Sequence, residues 1–292
     1  MKELTLLAPA KINLYLEIAS IRHDGYHNIE SVMQTVDLFD TLTFKTCEGE
    51  DKTVLECDDE RIPTGESNLI CRAAKLFFEH TEIGSQNLKI TLEKRIPMAA
   101  GLAGGSSDAA TTLIGLNKLY GADLSVDELC MLGARIGADV PFCVRQGISV
   151  IRGIGDVFSP CAPMPDCFVV VACGGEGVST PWAYRRVDEL CDYSTRGANV
   201  DEFAKTLESG NIADIASKMS NVFELAVLPE RPVAQNIRDT MTKCGALKAM
   251  MSGSGPSVFG VFKDVEKANF AVDTLEKQGI AAHLTKPFYP AT

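Results

Sequence analysis

The stretch from Pro97 to Ala110, Pro-Met-Ala-Ala-Gly-Leu-Ala-Gly-Gly-Ser-Ser-Asp-Ala-Ala, gathers the residue types that grip an anion. Gly101, Gly104 and Gly105 are followed at once by Ser106, Ser107 and Asp108. Glycine takes φ > 0 without steric cost and lets backbone N–H groups come close to a ligand. The apolar residues that follow (Ala109, Ala110, Leu113, Ile114, Leu116, Leu119) recur with helical period, and Gly121 closes the run. The serines and Asp108 suit the start of that helix, where the first N–H groups have no intrahelical partner. A glycine-rich loop feeding a helix start is a ready phosphate site. The helix dipole contributes only about 0.3–2 kcal/mol, so converging amides must supply most of the grip. A plain flexible connector is the competing reading, and the coincidence of glycines, hydroxyls and helix start favours phosphate. The loop is not a Walker loop, because no Gly-Lys-Ser/Thr follows. Nor is it the dinucleotide fingerprint, since Gly101-Leu-Ala-Gly104 breaks its spacing.

Other stretches carry side chains able to do chemistry. Lys11, Asn13, Tyr15 and Glu17 alternate with apolar residues along Leu4–Ile18, the period of a half-buried strand whose polar face is solvated. Pro9 in that run fits an edge or a bulge. Ile21-Arg-His-Asp-Gly-Tyr-His27 is a turn rich in groups that stack or hydrogen-bond, and also an ordinary surface turn. Asp139 sits between Gly137, expected to end a helix capped by the Ser125–Glu128 box, and Pro141, so it is either a turn former or a fixed carboxylate. Met251-Ser-Gly-Ser-Gly-Pro-Ser257 is a hairpin turn or a second anion-cradling nest.

The elements expected to position these groups are strands at 4–18, 32–44 (broken near 37–40), 88–92 and 148–151, with 48–63 as loop or ribbon. A helix capped by Ser67 should bury Leu69, Ala73, Leu76 and Phe77. Pro160, Pro163 and Pro165 mark a linker. Beyond them, strands at 168–173, 246–251, 257–262 and 280–285 alternate with helices at 200–207, 212–219, 231–243 and 265–278, a β-α-β-β-α-β order.

With 292 residues the chain is long enough for two domains. Its net charge of −11 disfavours nucleic acid or an anionic membrane as a partner, so any anion must be held by local positive potential. Ten cysteines without a C-x-x-C, beside only four histidines, read as free thiols rather than a zinc site. The apolar run Phe168–Cys173 is far too short to span a membrane, no secretory signal is indicated, and a cytoplasmic location is expected.

In combination the chain resembles the GHMP kinase superfamily. Pro9-Ala-Lys-Ile-Asn-Leu14, the loop Pro97–Ala110 and Met251-Ser-Gly-Ser-Gly-Pro256 match its three motifs in order. Asp24-Gly-Tyr-His27, Gly137-Ala-Asp-Val-Pro-Phe142, Gly153-Ile-Gly155 and Gly177-Val-Ser-Thr180 resemble the branch acting on a cytidine diphosphate ester of methylerythritol. The long form of the glycine loop also belongs to that branch. The resemblance implies an α+β, two-domain fold: a ribosomal protein S5 domain 2-like N-terminal domain (1–158) and a ferredoxin-like C-terminal domain (159–292). It implies transfer of the ATP γ-phosphoryl group to the ester's 2-hydroxyl, with Mg²⁺. Asp139 falls at the general base and Lys11 at its partner lysine. Pro97, Met98, Ala99, Ala100, Gly101, Leu102, Ala103, Gly104, Gly105, Ser106 and Ser107 fall on the ATP loop, and Asn68 in the adenine region. Tyr26 and Tyr184 fall at the cytosine-stacking positions, His27 at the cytosine edge, and Asn13 and Thr180 at substrate contacts. Ser107 is the candidate magnesium ligand. A monomer or homodimer is implied. A GHMP kinase for another small alcohol (homoserine or mevalonate), or an inactive binding protein of this fold, are the alternatives.

Overall fold

Residues 2–47, 52–83, 87–193 and 199–290 are described by the computed structural model, so 48–51 of the expected loop and the last two residues of the tail lie outside it. The first strand, β1 (Glu3–Ile21), runs unbroken through Pro9, and β2 (His27–Thr46) runs unbroken through 37–40. The sequence suggested interruptions at both places. The Asp37 and Asp40 side chains are used by segments distant in sequence instead: Asp37 accepts from Lys286 N and Asp40 from Arg95 N.

The chain divides into two units, one of residues 1–10, 38–97 and 103–146, the other of 11–37, 98–102 and 147–292. In the first, β2 pairs antiparallel with β4 (Leu88–Glu93), Thr41 opposite Glu93 and Thr46 opposite Leu88. The strand β3 (Thr53–Cys57) lies parallel to β4, where the sequence pointed to loop or ribbon. Only Leu55 of this strand is buried. The helix α1 (Leu69–Thr81) is capped by Asn68, not Ser67: the Asn68 side chain accepts from Ile70 N at 2.9 Å. Against α1 packs α2 (Gly104–Tyr120), ended by left-handed Gly121. Gly115 of α2 leaves room for Phe44, whose ring would lie 2.6 Å from an added Cβ. The helix α3 (Val126–Ala134) starts on the expected Ser125–Glu128 box but ends before Gly137; the short α4 (Val140–Arg145) follows.

One buried ion cluster fixes the approach to α2. The Lys94 ammonium bridges the carboxylates of Asp40 and Asp108, the latter at 3.0 Å. Asp40 also accepts from Arg95 N and Ile96 N, which orders the turn leaving β4. Asp108 therefore faces Lys94 and is not a helix cap, because an ammonium enclosed in the core demands the carboxylate. Gly104 is required here: an added Cβ would lie 2.9 Å from Lys94 Nζ and 3.0 Å from Ile96.

In the second unit, β5 (Ile148–Arg152) pairs with β2 and with β6 (Val157–Ser159). Next come β7 (Phe168–Cys173), α5 (Thr180–Leu190), α6 (Val200–Glu208), α7 (Ile212–Lys218), β8 (Ser220–Asn221), which pairs with β1, and α8 (Glu224–Val227). The chain continues as α9 (Pro232–Lys243), β9 (Lys248–Met251), β10 (Val258–Phe262), α10 (Val265–Glu276) and β11 (Ala281–Thr285). The four strands order as β11-β7-β10-β9, all antiparallel, with α9 and α10 packed on them. This is the expected ferredoxin-like arrangement, over a core that includes Val170, Ala172, Ile237, Met241, Phe262 and Leu275.

Burial pushes the Asp108 carboxyl up to about 7, against the opposing pull of Lys94 and with the help of Asp40. Burial lowers the Lys94 ammonium, and Asp108 and Asp40 more than offset it, leaving it raised. An acid with a folded pKa above its unfolded one stabilises the fold at low pH and loses that contribution as pH rises through the folded value. Replacing Asp108 with Asn should therefore flatten the fall in melting temperature between about pH 4 and pH 7 relative to wild type. Lys94→Met should cost about 3–5 kcal/mol in denaturant unfolding, since it strands two buried carboxylates.

Candidate active site

The glycine loop is held through its carbonyls. Ala100 O accepts from Ser257 N at 3.1 Å, Gly101 O from Ser252 Oγ at 2.9 Å, and Leu102 O from Lys11 N at 3.1 Å. Gly101 has φ +79°, and a Cβ there would stand 2.1 Å from Ser252 O. Ala99 (φ 48°) and Ala103 (φ 54°) also adopt left-handed backbone, which costs a non-glycine residue about 1 kcal/mol or more. Within the second unit, then, the 251–257 turn holds residues 100 and 101, and the backbone of β1 at Lys11 holds Leu102. That turn is fixed in its own right, because Asn221 Nδ2 donates to Met251 O and Gly253 O, and Glu224 accepts from Met251 N. Asn221 and Glu224 escaped the sequence analysis, since no motif spacing links them to the loop.

Leu102 leads into Ala103 and α2. Ser107 N donates to Ala103 O at 2.8 Å, the first bond of the helix, so the N–H groups of Gly104, Gly105 and Ser106 have no intrahelical acceptor. The two serines lie inside the first turn and cap nothing; the cap position is Ala103, without a side-chain bond. Ser106 Oγ lies 4.0 Å from where a Cβ on Gly137 would be. Ser107 Oγ is buried and has no hydrogen-bond partner among the described residues.

Asp139 occupies the N-cap position of α4, half-buried, with no capping bond from its side chain. The backbone around it is fixed by Gly137 N to Gly133 O, Val140 N to Gly137 O and Cys143 N to Asp139 O. The main chain that carries Asp139 is thus fixed, and its carboxylate is not consumed by the helix.

Lys11 does not lie on a solvated face. It is 3% exposed, and Asn13, Tyr15 and Glu17 are also buried. Both faces of this part of β1 are covered. Lys11 Nζ donates to Asn13 Oδ1 at 2.7 Å, and Asn13 Nδ2 donates to Ser31 Oγ at 2.9 Å. A Cβ on Gly253 would lie 3.3 Å from Lys11 Nζ, so the ammonium sits against the glycine-rich turn.

Tyr26 is 64% exposed at the end of a turn in which Asp24 accepts from Tyr26 N and from the Arg22 guanidinium. Arg22 hydrogen bonding, with the Tyr26 N–H, holds the Asp24 carboxyl below its ordinary range. His27 is stacked on Tyr184 with ring centroids 4.5 Å apart, and its Nε2 lies 2.8 Å from Asp188 Oδ1. Tyr193 also donates to Asp188, at 2.5 Å. The structure therefore gathers His27 and Tyr184 with two groups that had gone unnoticed, Asp188 and Tyr193, of which Asp188 is 161 residues from His27 in sequence. Thr180 Oγ1 is 2.9 Å from Ser254 Oγ, at the same glycine-rich turn. Asn68 is committed to its own helix and to Pro63 O.

A magnesium ion travels with ATP in the chemistry the sequence implies. Among the described residues no group of three or more His, Cys, Asp or Glu side chains is placed to hold a metal. The orphaned Ser107 hydroxyl fits one ligand position, and phosphate oxygens and water would fill the others.

A family model described as the GHMP kinases N terminal domain matches residues 68–147, and one described as GHMP kinases C terminal matches 203–281. The 4-diphosphocytidyl-2-C-methyl-D-erythritol kinase of Lachnoclostridium phytofermentans is 39% identical over 93% of this chain and 92% of its own. That of Caldicellulosiruptor saccharolyticus is 42% identical over the same shares. Among solved structures, a 4-(cytidine 5'-diphospho)-2C-methyl-D-erythritol kinase matches with a TM-score of 0.83 at 32% identity, over 98% of this chain and 100% of the other. Identity of this extent, over nearly the whole of each sequence, places the chain in the GHMP kinase family, among the 4-diphosphocytidyl-2-C-methyl-D-erythritol kinases.

Proposed function

We propose that this chain transfers the γ-phosphoryl group of ATP to the 2-hydroxyl of 4-diphosphocytidyl-2-C-methyl-D-erythritol, a step of the non-mevalonate route to isoprenoid precursors. The observation that carries phosphoryl transfer is the glycine corner, whose carbonyls are spent on protein partners while the first amides of α2 have no intrahelical acceptor. The choice of acceptor rests on the activity named for the relatives and on Tyr26 and His27, which offer a base something to stack on and bond to.

In this reading residues 97–107 cradle the triphosphate and the Asn68 region borders the adenine. The substrate oxygen attacks the γ-phosphorus as the bond to the β-phosphate oxygen breaks, releasing ADP, and the hydroxyl proton passes to the Asp139 carboxylate. A positioned base of this kind is worth about 10²–10⁴-fold. The Lys11 ammonium stabilises charge on the transferring group, and alignment supplies most of the rest. Ser107 would hold one ligand position of a magnesium ion carried by the nucleotide, which would supply neutralisation of phosphate charge. Tyr26 and Tyr184 stack on the cytosine, His27 bonds its edge, and Asn13 and Thr180 border the substrate. The reading further includes a domain boundary near 158/159, a monomer or homodimer, and a cytoplasmic enzyme. None of the described helices is long and apolar enough to cross a membrane.

An ATP-consumption assay should detect phosphorylation of the cytidine ester and not of homoserine or mevalonate; turnover of homoserine alone would overturn the choice of acceptor. Asp139→Asn should retain ATP binding by calorimetry while slowing turnover by at least about two orders of magnitude. Near-wild-type turnover would remove Asp139 as the base. Tyr26→Ala should raise KM for the cytidine ester with KM for ATP unchanged, and the reverse pattern would mean that the two subsites have been exchanged.

A further inference from the structure

Lys11, Asn13 and Ser31 form a buried chain of hydrogen bonds whose direction is fixed at both ends. Ser31, on β2, is fully buried and donates its hydroxyl proton to the backbone carbonyl of Tyr15 at 2.7 Å. A carbonyl only accepts. With that proton committed, Ser31 Oγ accepts from Asn13 Nδ2, 2.9 Å away. The Asn13 carbonyl oxygen is thereby turned toward Lys11 Nζ at 2.7 Å, and an ammonium only donates. Inverting the amide would set its NH₂ against the ammonium and its oxygen against a hydroxyl with no proton left to give. Two hydrogen bonds would be lost in a site closed to water, where unmade bonds carry their full desolvation cost.

We infer that Ser31 is a positioning residue for phosphoryl transfer: it locks the orientation of the Asn13 amide, and the amide aims the Lys11 ammonium. The inference rests on the role of Lys11 in the proposed function. It goes further by giving a side chain on a second strand, 20 residues from Lys11 and outside all three glycine and lysine motifs, a defined task in that chemistry. It also gives Asn13 a task within the protein. One donor and one acceptor of its amide are spent on Ser31 and Lys11, and the side chain is only 1% exposed.

The test is a double-mutant cycle on the full chain, with steady-state kinetics on ATP and the cytidine ester and thermal melts of every variant. Ser31→Ala frees the Asn13 amide to rotate and should lower kcat about tenfold, the equivalent of about 1.4 kcal/mol, with both KM values changed less than about twofold. Ser31→Thr keeps the hydroxyl and should restore most of kcat. In a Lys11→Met background, adding Ser31→Ala should change kcat by less than about twofold, because the group it acts through is gone. A Ser31→Ala enzyme with wild-type kcat would overturn the inference. So would an equal tenfold loss with and without Lys11, or a loss that tracks melting temperature across the variants. If Lys11→Met alone leaves kcat unchanged, the role given to Lys11 fails and this inference falls with it. A kcat effect of Lys11→Met without one of Ser31→Ala removes the inference alone.

Discussion

Three backbone carbonyls, those of Ala100, Gly101 and Leu102, are tied down by Ser257, Ser252 and Lys11, and the architecture of the loop follows from that constraint. A peptide whose oxygen is fixed on one side presents its N–H on the other. Ala99, Gly101 and Ala103 all adopt left-handed backbone, a conformation that neighbouring contacts must over-determine to be kept. The contact of Gly101 with Ser252 leaves no space for a side chain. Two of the fixing partners, Ser252 and Ser257, come from a turn that is secured in its own right by Asn221 and Glu224, and the third is the backbone of β1 at Lys11. The glycine loop is therefore a held object, and its sequence neighbours alone do not hold it.

Two buried lysines show how similar side chains receive different work. Lys94 is enclosed by two carboxylates, so its charge is answered where it stands and its effect is to order the turn before α2. Lys11 faces a neutral amide oxygen beside a glycine-rich turn. A dipole orients an ammonium without cancelling it. In a chain with a net charge of −11, an anion must find local positive potential, and an ammonium held this way keeps its charge uncancelled.

Much of this was legible in the sequence, because glycine spacing and apolar periodicity are local signals. The loop, the helix behind it, the Ser125–Glu128 cap and the β-α-β-β-α-β order of the C-terminal half were all expected in these places. What sequence reasoning missed depended on distant partners. Alternation along β1 suggested one wet face, yet Lys11 and Asn13 are buried because both faces are covered, which period-2 patterning cannot report. Asp108 looked like a helix-start residue until Lys94, 14 positions earlier, claimed its carboxylate. The choice of Asn68 over Ser67 as a cap turned on a single residue, the usual uncertainty of a helix boundary. Asp188 behind His27 and Ser31 behind Asn13 had no signal, since neither lies in a motif.

In the proposed function, main-chain amides at the start of α2 grip the triphosphate. Amide resonances followed during titration with a non-hydrolysable ATP analogue and magnesium test this directly. Gly104, Gly105 and Ser106 should show the largest downfield shifts and the strongest slowing of hydrogen exchange. Saturable nucleotide binding that leaves those amides unmoved, with the large shifts elsewhere, would contradict it.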